Sequence, residues 1–178
     1  MEKKHANTTS KLLNPACGFG IILIKYLRYQ IKKQKQLNQE LTYDSINELI
    51  NQNIFGIDID KMAIAVSEVL IFLTTLDYIT LKDISTFQHP QLMNNNLIVS
   101  NYFDFNLPKQ LGERKFDFII SDTPFLEYNS KQDYGDFETY KSLSGANNLS
   151  SFFIQRTNDF AFENTDRKST RLNSSHYS

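Results

Sequence analysis

Four short apolar runs constrain this chain more than any other feature: KLL (11–13), NIFGIDI (53–59), NNLIVSNYF (95–103) and KFDFIIS (115–121). Between them lie longer segments whose apolar residues recur every three or four positions, the spacing of one helix face. The runs are too short for helices and too apolar to lie in water, so they read as strands buried on both sides. Strands alternating with helices imply an α/β domain: about four mainly parallel strands with flanking helices, an incomplete doubly wound sheet. In such a sheet ligands gather outside the carboxyl ends of the strands, so the residues just after each run are the ones to examine.

The helical segments read as follows. IILIKYLRYQIKKQKQ places Ile22, Leu23, Tyr26, Leu27 and Ile31 on one face and lysines opposite. YDSINELINQ is a short helix with Asp44 or Ser45 as its N-cap. DKMAIAVSEVLIFLTTLDY is strongly apolar and starts at Asp60, a natural cap. NLSSFFIQRTNDFAF closes the series as another helix, with Phe152, Phe153, Thr157 and Phe160 on one side. Residues 126–146 are polar and read as a loop.

The chain has 178 residues, enough for one domain with a real core. No apolar run approaches the roughly 18 residues of a membrane helix, and the polar start lacks the core of a secretory signal. One cysteine makes no internal disulfide, which suits a reducing cytoplasm. His5, His89, His176 and Cys17 have no metal-ligand spacing, so no metal is expected. A net charge of −1 supplies no general attraction to nucleic acid. Oligomeric state has no sequence signal.

DRKSTRLNSSH (166–176) matches the one-frame translation of a common sequencing adapter. Residues 166–178 are therefore read as a non-native tail, with a natural polar tail as the alternative, residues 1–10 as a polar N-terminal tail, and residues 11–165 as a partial domain. Without that tail the loss of Arg167, Lys168, Arg171 and Asp166 takes the net charge from −1 to −3.

Each strand end carries a candidate. After the first comes NPACGFG: Gly18 and Gly20 allow positive φ and close approach of a ligand to the backbone. Leu23 stands where a dinucleotide fingerprint wants a third glycine, which argues against a nicotinamide cofactor. A plain tight turn explains the two glycines as well. After the second strand, Asp58 could accept bonds from ribose hydroxyls, or it could simply shape a turn. After the third, Asp104 could take a purine amino group while Phe105 or Ile59 lies on the ring, or it could be a loop acid. After the fourth comes SDTPF: the Asp122 carboxylate and the Thr123 carbonyl accept, Pro124 fixes φ, and Phe125 offers a flat face. Acceptors beside a stacking platform suit a planar amine such as a base withdrawn from its helix. A strand terminator with a core aromatic would look the same.

Taken in order, the four pieces resemble the amino-methyltransferases, specifically DNA adenine-N6 methyltransferases. The nearest in pattern is the methylase portion of bifunctional, type IIG-like restriction–modification enzymes. The resemblance runs from about residue 12 to 162. It implies a Rossmann-like, S-adenosyl-L-methionine-dependent fold with Asn14, Pro15, Ala16, Cys17, Gly18, Gly20, Asp58, Ile59, Asp104 and Phe105 at the cofactor. Asp122, Thr123, Pro124 and Phe125 become the catalytic set, and DNA the partner, gripped by regions outside this chain. Thr123 replaces the first proline of the family's motif, so the implied activity of this fragment is weak or nil. Methylation of an RNA base or a protein glutamine, or a non-catalytic remnant of the fold, remain alternatives.

Overall fold

A computed structural model describes residues 10–39, 41–78, 80, 91–123 and 149–169, with side chains as far as 162. It contains a five-stranded sheet in the order β3-β2-β1-β4-β5, where β1 is Leu12–Asn14, β2 Ile54–Asp58, β3 Leu97–Val99, β4 Phe116–Ser121 and β5 Ala161–Ser169. Every pairing is parallel. Helices α1 (Ile21–Gln36), α2 (Tyr43–Asn53), α3 (Lys61–Leu76), α4 (Leu107–Gln110) and α5 (Leu149–Arg156) make the crossovers. The strand order reverses between β1 and β4, so the fold has a topological switch point above β1.

Two cores follow from the strand period of two. Leu12 and Leu13 are both fully buried, yet they belong to different clusters because neighbouring side chains point to opposite faces. One face holds Leu23, Leu27 and Ile31 of α1, Ile46 and Ile50 of α2, and Ile64 and Ile71 of α3. The other holds Leu107 of α4 with Phe152 and Phe153 of α5, packed on Phe55, Ile57, Phe116 and Ile119. Right-handed crossovers explain the division. The steps from β1 to β2 to β3 run one way along the sheet, and the return to β4 and on to β5 runs the other.

Local chemistry sets the ends. Asp60 caps α3, its Oδ1 accepting from the Met62 N–H at 2.8 Å. The cap of α2 is Thr42, not Asp44 or Ser45. Thr42 and Ser45 form a reciprocal capping box, in which each side chain accepts from the other's backbone N–H, so Ser45 is the third helical residue rather than the cap. Asn96, at the entry to β3, donates Nδ2 to the carbonyls of Ile50, Asn51 and Ile54, closing the end of α2 against the sheet. Gly56 sits in β2 where α1 crosses: a Cβ there would lie 2.8 Å from Leu23 Cδ1 and 3.0 Å from the Cys17 sulfur.

The extent of the last helix differs from the sequence pattern. α5 stops at Arg156, passes through a 3-10 turn at Thr157–Asp159, and the chain then enters β5. The sequence reading had carried this helix through Phe162. Phe160 remains buried, but as the turn residue before a fifth strand. β5 pairs with β4 through Ser121↔Ser169, so it extends past position 166. α3 is apolar on both sides: Ile64 and Ile71 are buried, while Met62, Val66, Val69, Leu73 and Leu76 are exposed.

Phe116 is fully buried at the start of β4, edge-on to Phe55 with centroids 5.3 Å apart. Phe116→Ala should therefore cost about 3–5 kcal/mol, read as a lower urea midpoint at unchanged slope.

Candidate active site

The turn after β1 is held from three directions. Gly18 has φ 51° and Gly20, the N-cap of α1, has φ 78°. Both lie in the left-handed region that suits glycine. The Cys17 N–H donates to the Ile57 carbonyl at 2.9 Å. The Gly18 N–H donates to Asp58 Oδ2 at 2.8 Å. The Ser67 hydroxyl, on α3, donates to the Gly18 carbonyl at 2.7 Å. A side chain at Gly20 would collide with that serine, its Cβ only 2.9 Å from Oγ, whereas one at Gly18 would meet nothing within 4 Å. Gly20 thus serves packing, and Gly18 leaves open space above the turn.

Asp58 clamps two backbones at once, because its Oδ1 also accepts from the Asp60 N–H at 3.0 Å. An ionised carboxylate has about four acceptor positions, so two remain for a ligand. Ile59, just beyond, is exposed at 74%. At the end of β3, Asp104 forms a similar turn: Oδ1 accepts from the Asn106 N–H at 2.8 Å and Oδ2 from the Ser100 hydroxyl at 3.4 Å. Phe105 beside it is exposed at 78%. β2 and β3 are neighbours with Asp58 opposite Val99, so these two apolar side chains project from adjacent strand ends.

A cavity of about 830 Å³ opens at the switch point, within the range of ~300–1,000 Å³ common for small-molecule sites. Its wall joins Asn14, Ala16, Cys17 and Gly18 from the first turn to Ile120 and Asp122 from β4, with Ile21, Ile22, Lys25 and Tyr26 of α1 beneath. Asp122 is exposed and Thr123 buried. Asn14 is 1% exposed; its Oδ1 accepts from the Ala16 N–H, and its Nδ2 has no partner among the described residues. A buried donor on a residue of the cavity wall is what a ligand with acceptor atoms could satisfy. These features fit S-adenosyl-L-methionine.

The structure therefore brings Asn14, Ala16, Cys17, Gly18 and Asp122 to one cavity and ties Asp58 to it through Gly18. Ile59, Asp104 and Phe105 stand at the strand ends beside it, outside its lining. Pro124 and Phe125 lie outside the described residues. Pattern reading missed Ser67, one of a helix's many polar residues, whose contact is 49 positions away in sequence. It also missed Asn96, whose role depends on burial alone. Among the described residues no cluster of histidine, cysteine and acid could hold a metal, and no helix is long and apolar enough to cross a membrane.

Cys17 is a buried free thiol. Burial, and then the nearby Asp58 carboxylate, push its thiol up to about 12. Burial likewise raises Tyr26, whose hydroxyl donates to the Ser10 carbonyl and accepts from Gln30, to about 12.

A parallel sheet with a glycine turn, a strand-end acid and a cavity at the switch point defines a Rossmann-like domain of the methyltransferase type. The chain belongs to the Eco57I restriction-modification methylase family, whose model matches residues 52–166. The glycine turn lies before that span. Among solved structures, it is similar to the M protein of the type I restriction enzyme EcoKI, at 16% identity and a TM-score of 0.57 over 85% of this chain and 27% of that one. A modification subunit of a putative type I restriction enzyme from Vibrio vulnificus YJ016 matches at 18% identity and 0.54, over 85% and 26%. DrdV in its complex with DNA matches at 13% and 0.60, over 88% and 17%. At these identities the likeness concerns the fold, and the chain spans about a quarter or less of each. No curated protein matches the chain.

Two outcomes are expected. Asp58→Asn leaves one side-chain oxygen to serve two N–H groups, so it should cost about 1–3 kcal/mol, measured by chemical denaturation. An acid with a higher pKa folded than unfolded keeps a proton that the unfolded chain gives up, so stability falls as pH climbs. Stability should therefore decline from near pH 9.0, the ordinary thiol value, towards about 12, with a shallower decline in Cys17→Ala.

Proposed function

We propose that this chain is the cofactor-binding and catalytic part of a restriction–modification methylase that transfers a methyl group from S-adenosyl-L-methionine to the N6 amino group of adenine in DNA. The observation that carries the reading is the shared cavity. Asp122, at the end of β4, lines the same space as Asn14 and Gly18, at the end of β1. A donor held over the glycine turn and an amine held by the β4 loop would meet there.

Bound in this cavity, S-adenosyl-L-methionine supplies a methyl on a sulfonium cation, open to direct in-line displacement. The chain's part is positioning and electrostatics. The Asn14–Gly20 segment embraces the methionine portion, with the Asn14 amide as donor. Asp58 uses its two remaining acceptor positions for ribose hydroxyls. Asp104, with Ile59 and Phe105 as apolar walls, holds the adenine of the cofactor.

The substrate amine has a different problem: its lone pair is shared with the ring. The Asp122 carboxylate and the Thr123 carbonyl accept its two hydrogens and turn the lone pair towards the methyl. The surplus proton leaves to solvent past the exposed Asp122. Pro124 fixes the turn, and Phe125 stacks on the withdrawn base. DNA is gripped by other parts of the parent methylase, since a net charge of −1 supplies no general attraction to it. Synthesis and action in the cytoplasm suit the substrate.

S-adenosyl-L-methionine at 100 times its Kd should stabilise the protein by about 2.7 kcal/mol, seen as a rise in Tm; no rise removes the cofactor assignment. Methyl-tritiated cofactor should label adenine in DNA, and label in RNA or in glutamine side chains instead would overturn the substrate. Thr123 lacks the φ restriction of proline, a loss of about 0.4–1 kcal/mol of preorganisation. Thr123→Pro should raise the rate of transfer about two- to fivefold, and an unchanged rate clears Thr123 of any deficit.

A further inference from the structure

Arg156, the last residue of α5, is 3% exposed. A buried guanidinium is a costly way to fill a core, because its charge has lost water. What it offers in exchange is direction. Its Nη2 donates to the backbone carbonyl of Asp104 at 2.6 Å, bridging 52 positions of sequence. Its Nη1 is 4.0 Å from the Asp159 carboxylate. Its Cζ lies 5.7 Å from the Tyr102 ring centroid and 5.6 Å from that of Phe160.

The rings around it belong to the same two segments. Tyr102 stacks on Phe153 at 4.9 Å and on Phe160 at 5.6 Å, while Phe103 meets Phe153 edge-on at 5.1 Å. Tyr102 and Phe103 come from the loop that follows β3; Phe153 and Phe160 come from α5 and the turn after it. The loop has a turn of its own, in which the Asp104 N–H donates to the Asn101 carbonyl at 2.9 Å and the Asp104 carbonyl accepts from the Leu107 N–H at 3.1 Å; the aromatic contacts and Arg156 tie that turn to α5. The bond to the Asp104 carbonyl fixes one backbone atom at the residue immediately before exposed Phe105.

We propose that Arg156 is a positioning residue for the adenine side of the cofactor pocket: it sets the backbone of Asp104 and Phe105 and links that loop to α5. This inference rests on the assignment of Asp104 and Phe105 to cofactor adenine, and its test separates the two.

The full chain is compared with Arg156→Met, which keeps bulk without donors, and with Arg156→Lys, which keeps one cationic donor. Hydrogen exchange, with no ligand present, should quicken by about tenfold at the amides of residues 101–107 in Arg156→Met. The amides of β1 and β2 should keep their protection, and Arg156→Lys should recover part of the loss. Adenosine affinity, by titration calorimetry, should weaken in step. Ile31→Ala, in the opposite core, is the control for lost stability and should leave adenosine affinity unaltered. Unchanged loop exchange in Arg156→Met, or an equal adenosine loss in Ile31→Ala, overturns the proposal. Should Arg156→Met fail to fold, Arg156→Lys decides by the same two readings. If the unaltered chain binds no adenosine, the cofactor assignment fails, while loop exchange still decides whether Arg156 sets the loop.

Discussion

The bond from the Gly18 N–H to the Asp58 carboxylate is the contact on which the site depends. It joins the ends of the neighbouring strands β1 and β2, at a residue whose positive φ turns the chain on towards α1. The same carboxylate, by accepting from Asp60, starts the turn into α3. α3 then returns Ser67 to the Gly18 carbonyl. The loop is closed: strand end, acid, helix, hydroxyl and the first turn again. A helix N-terminus, an open glycine and a buried amide are thereby held around one space.

That closure explains why close packing and ligand space coexist within three residues. Gly20 and Gly56 have no Cβ because α3 and α1 approach too near for one. Gly18 has a left-handed backbone conformation that disfavours one, and among the described residues nothing lies within 4 Å of where it would be. The cavity at the switch point is a consequence of topology. Strands β1 and β4 are neighbours whose connections leave in opposite directions, which opens a crevice at their carboxyl ends.

Much of this could be read from residue order. Alternating apolar runs fixed a parallel sheet, and Asp60 announced the start of α3, because caps and strand burial are local properties. The four strand ends drew attention to Gly18, Asp58, Asp104 and Asp122 before any contact was known. What escaped was tertiary. β5 begins with Ala161 and Phe162, residues that continue the helical spacing of α5; pairing with β4, not local preference, makes them a strand. The α2 cap went to Thr42 because the reciprocal bond with Ser45 satisfies two backbone donors, where Asp44 would satisfy one.

By itself the sequence determined the class of fold and which strand ends carry polar chemistry, since burial period and turn residues are written along the chain. Only the tertiary structure decided how those ends divide their labour. Asp58 serves the backbone as much as any ligand, Asn14 is left with a buried donor, and Arg156 reaches the Asp104 carbonyl across 52 residues. Such partners are chosen by where the sheet brings distant segments together, and a hydrogen bond between them leaves no periodic trace in the chain.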